Sequence, residues 1–320
     1  MISRRLLRIK ALMILYAFNR REDDNLALAE SELLFSIGKT YDLYHYLFLL
    51  ILEIADISSE KIDMALQKKI PSVEDLNPNM RFVENAIVKQ LRNNSDLKKY
   101  LTENKLSWAN NSDIPRSLYT SMVTWDPFIE YMNSDDKSYR TDKKIIIRLV
   151  TELFARSEDL LAGFEEQSIY WNDDMDYVTI MVEKTLKTFK AGAEERNPLM
   201  PLFKNEEDRN YVITLFRKAI LSDKDSSELI DRNTTNWEVE RIALMDILVM
   251  KLAVTELIEF PEIPVKVTLN EYIEISKYYC TSKSSTFVNG ILDKVVREMR
   301  DNGMFKKAGR GLVGDSITEE

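Results

Sequence analysis

Apolar residues recur at three- and four-residue intervals along almost the whole of this 320-residue chain, and only 8 glycines and 8 prolines interrupt them. Strand alternation is nearly absent, and an all-β chain would need many more turn residues. The expected fold class is therefore all-α. The spacing predicts helices over 4–20, 25–37, 41–56, 79–92, 94–104, 115–133, 141–162 and 174–190. Further helices are expected over 206–221, 225–232, 237–259, 264–278 and 285–300. The expected breaks include Gly38, Asn77-Pro78, Asn93-Asn94, Pro115 and the Asn197-Pro198 to Pro201 linker. Ser285 is placed to cap the last helix on the Val288 amide. Residues 303–320, with four glycines and little apolar content, read as a flexible tail.

A single cysteine, Cys280, excludes an internal disulfide framework and a cysteine-based zinc cluster. A single histidine, His45, removes most histidine-dependent catalysis and multi-histidine metal sites. No glycine-rich phosphate loop is present. Asp173-Asp174 precedes a helix, where acids stabilise the positive end of the dipole, and is read in that way rather than as a cation site. No catalytic or metal-binding residue and no cofactor is assigned, so the chain is read as a non-enzyme. No apolar run approaches the roughly 20 residues of a membrane span. The start of the chain lacks the pattern of a secretory signal, so a soluble, cytoplasmic protein is expected.

Charge is uneven. The net charge is −9, but residues 1–21 carry six cations and no acid, whereas 22–205 sum to −10 and 206–320 to −5. Arg4, Arg5 and Arg8 fall on one helical face, continued by Tyr16, while Leu7, Ala11, Ile14 and Phe18 form a separate apolar stripe. The arginine face is expected to be solvated and dispensable for folding. Phosphate binding follows local cation density, so this face suits a nucleic-acid backbone despite the acidic total. The acidic 22–205 region is not expected to touch RNA unless it conceals a basic patch. A faint repeat pairs Leu47-Phe48 and Ser58–Asp63 with Leu215-Phe216 and Ser226–Asp231. Chance explains so few identities; a duplicated hairpin is the alternative.

The C-terminal third carries specific blocks. They run Asn236-Trp237-Glu238-Val239-Glu240-Arg241-Ile242, Met245-Asp246-Ile247-Leu248, Leu252-Ala253 and Glu256-Leu257. Then come Ile263-Pro264-Val265-Lys266-Val267, Asn270-Glu271, Ile273-Glu274, Ser276-Lys277 and Phe287-Val288-Asn289-Gly290-Ile291-Leu292-Asp293-Lys294. In order and spacing they closely resemble the "PVKVxINEAIELAK" and "KFVNGVLDK" blocks of the NusB family of bacterial transcription antitermination factors. Arg4, Arg5, Arg8, Ala11 and Leu15-Tyr16 resemble the family's arginine-rich first helix. The resemblance covers 1–21 and 206–302 as a NusB-like RNA-binding domain, with 22–205 as a helical insertion.

The resemblance implies two small helical bundles that bind the boxA sequence of ribosomal RNA leaders. It also implies assembly with the ribosomal protein NusE and with the RNA polymerase antitermination complex. It points to Arg4, Arg5, Arg8, Tyr16, Ser284, Phe287 and Asn289 for RNA, and to Glu240 and Asp246 for the basic partner; Lys283 is assigned to RNA on its charge beside the start of the last helix. Arginines supply phosphate contacts, and Tyr16 and Phe287 offer rings for unstacked bases. Where the family has "EDSHKFVNG", this chain has Lys283 in place of the Asp and Thr286 in place of the Lys, and Cys280 replaces a preceding Gly. Two other readings stay open. One is a protein-interaction adaptor with the same fold. The other is the RNA-binding module of an rRNA methyltransferase, whose cofactor loop and catalytic cysteines this chain lacks.

Overall fold

In a computed structural model that describes residues 2–21, 24–193, 197–234 and 242–313, the regular structure is helical throughout. In chain order the helices are α1 (Arg4–Asn19), α2 (Leu26–Leu66), α3 (Val73–Leu76), α4 (Ala86–Asn93), α5 (Ser95–Glu103), α6 (Asp113–Val123), α7 (Asp126–Asn133) and α8 (Tyr139–Arg148). They continue with α9 (Glu158–Gln167), α10 (Met175–Thr188), α11 (Glu206–Leu221), α12 (Asp223–Asn233), α13 (Leu244–Glu259), α14 (Val265–Tyr279) and α15 (Ser284–Asp301). The chain divides into two compact units, residues 1–37 with 202–320, and residues 38–201. The division falls inside α2.

The first unit is organised around α13. Residues 248–257 of that helix are buried without interruption. A helix buried on all sides has to be enclosed by others, and α1, α11, α12, α14 and α15 all pack on it. Each neighbour presents a stripe. Val265, Thr268, Tyr272 and Ile275 are buried on α14. Val288, Ile291, Leu292, Val295 and Met299 are buried on α15. Helix α1 starts at a Ser3 cap, whose Oγ accepts the Leu6 N–H at 3.3 Å. It buries Leu7, Ala11 and Ile14, and with them Arg8 and Lys10.

The second unit has its own core, with Phe48, Phe82, Trp108, Phe154 and Phe189 fully buried. Asn85 and Asn94 cap α4 and α5 with their side chains, and a single π turn over Leu149–Leu153 follows α8.

Several expectations change. Gly38 does not break the helix; α2 runs through it, because a lone glycine costs only about 1 kcal/mol in a helix and forty neighbours support it. The segments 115–133 and 141–162 are each split in two, at Thr124-Trp125 and at the π turn. Residues 47–63 lie within one helix, whereas 215–231 span two, so the faint repeat is no duplicated hairpin. Residues 304–313 are held rather than loose, as described below. Trp237, Glu240 and the rest of 235–241 lie outside the described residues, as do 314–320. Among the described residues no helix is long and apolar enough to cross a membrane.

Candidate nucleic-acid interface

The arginines of α1 enter a network of acids contributed by three other helices. Arg8 is 3% exposed. Its Nε and Nη2 donate to Glu256 of α13 at 2.7 and 2.8 Å, and Glu256 is itself 0% exposed. Glu256 also accepts from Tyr211 Oη at 2.5 Å, Thr268 Oγ1 at 2.8 Å and Tyr272 Oη at 3.3 Å. Burial opposes the charge on Arg8, but the Glu256 carboxylate outweighs it and holds the guanidinium above the ordinary arginine range. Tyr211 and Tyr272 are pushed well up, first by burial and then by Glu256. The expectation of a solvated, dispensable face therefore fails at Arg8. Its head group is committed to closing a buried network, and its removal would reach the core.

Arg4 donates to Asp208 at 3.0 Å and Glu207 at 2.6 Å, in the first turn of α11, and lies 5.0 Å from the Tyr211 ring centroid. Arg5 donates from Nε and Nη2 to Glu271 of α14, both at 2.8 Å, yet its side chain stays 52% exposed. Those bonds hold the Glu271 carboxyl below its ordinary range despite partial burial. Of the three arginines, Arg5 therefore offers the most accessible guanidinium. Tyr16 is half-buried, with Arg20 over its ring at 5.4 Å.

A second basic surface lies at the start of α15. Lys283 occupies the cap position, with no side chain capping the first turn. Ser285 thus lies inside the helix, not at its cap. Lys283, Thr286, Phe287, Gly290, Ile291 and Lys294 fall on one helical face and line a groove of about 520 Å³. Phe287 is half-buried, while Lys283, Asn289 and Gly290 are exposed. A Cβ at Gly290 would meet nothing within 4 Å, so this face of α15 is open there. Lys294 and Gly290 were both readable as groove residues from their spacing to Lys283 and Phe287.

Ser284 and Asp246 point inward. Ser284 is 3% exposed and donates to Asp246 Oδ2 at 2.9 Å, and Asp246 is 6% exposed. Burial, and then the adjacent Asp246, push the Cys280 thiol far up. These two residues order the turn before α15, so neither has a side chain directed at a ligand. Glu240 lies outside the described residues.

A model of the NusB family matches residues 177–297, from α10 into α15. The transcription antitermination protein NusB of Salinibacter ruber is 40% identical over 121 residues, covering 38% of this chain and 76% of that protein. Its namesake in Chloroherpeton thalassium is 39% identical over 105 residues, covering 33% and 50%. That of Natranaerobius thermophilus is 31% identical over 115 residues, covering 34% and 79%. No solved structure matches the chain. A helical unit built around α13 to α15, with this identity over most of the length of two such proteins, makes the chain a member of the NusB family of transcription antitermination proteins.

Proposed function

We propose that the chain is a non-catalytic, cytoplasmic RNA-binding factor that binds boxA-type rRNA leader sequence together with NusE and supports rRNA transcription within the RNA polymerase antitermination complex. The groove on α15 carries this reading. Lys283 and Lys294 flank the half-buried Phe287 ring at an uncapped helix N-terminus, within the stretch that matches the family. A base can stack on the ring, while the ammonium groups and the helix dipole draw phosphate. Arg5, and to a lesser extent Arg4, add cations from α1. Arg8 supports the site by holding α1 to α13, and Ser284 and Asp246 support it by shaping the turn. Glu240 is proposed to face the basic partner.

Lys283→Asp, which restores the family residue, is expected to weaken boxA RNA binding by roughly 1 kcal/mol at low salt, the scale of one exposed charge interaction. The two proteins should converge as salt rises, because screening shortens the reach of the charge. Helix content should not fall, since Asp is a better cap than Lys. Fluorescence titration with labelled boxA RNA, with and without NusE, measures this. Tighter binding of the Asp variant in the presence of NusE would assign this position to the protein partner instead.

A further inference from the structure

Residues 304–313 lie beyond the stretch that matches the family and double back onto the first unit. Lys307 Nζ donates to the Leu257 and Phe260 carbonyls at 3.0 and 3.1 Å, at the C-terminal end of α13. The last carbonyls of a helix lack partners within it, and a lysine is suited to satisfying them. The Ala308 N–H donates to the Pro261 carbonyl at 3.0 Å. Gly309 sits at φ +54°, in the left-handed region that favours glycine. Gly311 is buried, and a Cβ there would lie 1.9 Å from the Pro261 carbonyl oxygen. Backbone cannot yield that far, so only glycine lets the segment run so close.

This strap delivers Arg310 to the arginine end of α1. Arg310 and Val313 join Arg4, Arg5, Pro264 and Val267 in lining a cleft of about 570 Å³. Within that cleft Arg4, Arg5 and Arg8 are each engaged by carboxylates, and Glu262 adds another acid. Arg310 is exposed and makes no ion pair among the described residues. Arg310 therefore adds a cation with no carboxylate partner among the described residues beside the half-exposed Arg5, while the floor of Ile263, Pro264 and Val267 is apolar.

We propose that the strap completes an RNA subsite in which Arg310 and Arg5 hold phosphodiester groups of a single strand while a base lies on the apolar floor. This rests on the RNA-binding reading above and adds a contact outside the family's matched segment. The test is titration of the full chain with labelled single-stranded boxA RNA over a range of salt. Arg310→Ala should bind about five-fold more weakly at low salt, the worth of one exposed charge contact, and its log–log salt slope should fall by about 0.7. Arg310→Lys should keep the slope. Gly311→Val should reproduce the Ala loss with Arg310 still present, because the strap must lift, and the double variant should lose no more. Unchanged affinity and slope in Arg310→Ala, with the unaltered chain binding RNA, would overturn the strap proposal alone. An unaltered chain that does not bind the RNA would overturn both this proposal and the reading it rests on.

Discussion

Arg8→Ala is expected to destabilise the first unit by about 3–5 kcal/mol, the cost of leaving one partner of a buried ion pair uncompensated. That is a large fraction of the roughly 5–15 kcal/mol that holds an ordinary domain together. Glu256 would keep its hydroxyl donors, Tyr211, Thr268 and Tyr272, but lose its only cation among the described residues. Arg5→Ala should cost under about 1 kcal/mol, since a half-exposed ion pair is screened by water. Replacing both Arg8 and Glu256 by apolar residues removes the buried charge but leaves the Tyr211, Thr268 and Tyr272 hydroxyls without their acceptor, so it should recover only part of the loss. Urea titration followed by circular dichroism, with hydrogen exchange on α13 and α14, separates these variants. A loss for Arg8→Ala no larger than for Arg5→Ala would contradict this account of the network. The result also governs any arginine scan for RNA contacts, since Arg8 variants would lose binding by unfolding.

The second unit should lose stability as pH falls from about 6.5 toward 4. His45 is 1% exposed, and burial depresses its pKa from 6.5 to about 4. Its ring stacks on Tyr100 at 3.7 Å between centroids, and Tyr41 packs edge-on at 4.4 Å. Nδ1 donates to the Tyr41 carbonyl at 2.8 Å, which fixes the proton on that nitrogen. The folded unit thus holds the ring neutral, whereas the unfolded chain takes up a proton near pH 6.5. The stabilisation is complete above the unfolded value and is lost as pH drops through the folded one, by about 3 kcal/mol for this shift. Denaturant midpoints of the second unit, read by hydrogen exchange over residues 41–48 at several pH values, report it. His45→Phe should flatten the dependence across that window. An equally steep dependence in the variant would show that another group carries it.

Helical periodicity made α11, α14 and α15 legible from sequence, because a stripe such as Val288, Leu292, Val295 and Met299 is a local pattern that survives without knowledge of its partner. The N-terminal half was less legible. Gly38 reads as a break only if local propensity decides, and there tertiary packing does. The arginine face was misread for a related reason. Arg8 and Glu256 are far apart in sequence, and nothing near Arg8 distinguishes a buried guanidinium from a solvated one. The first-turn acids Glu207 and Asp208, and Glu271 among the family blocks, were visible, but not which arginine each would take. The segment 304–313 looked loose because it has few apolar residues. It is held instead by main-chain hydrogen bonds, a lysine cap and a close glycine approach, which leave no hydrophobic signature.

Where RNA touches the chain tests the central claim most directly. Photo-crosslinking of boxA RNA to the full chain with NusE, followed by mass-spectrometric mapping, should place adducts on residues 3–16, 283–294 and the Arg310 strap, all in the first unit. Few should fall in the second unit, where Lys137, Arg140, Lys144 and Arg156 are exposed in and beside α8, the last two near the Glu152 carboxylate. Adducts concentrated on residues 81–105 or 137–148, or no boxA-dependent adducts at all, would contradict the assignment of RNA binding to the NusB-like unit.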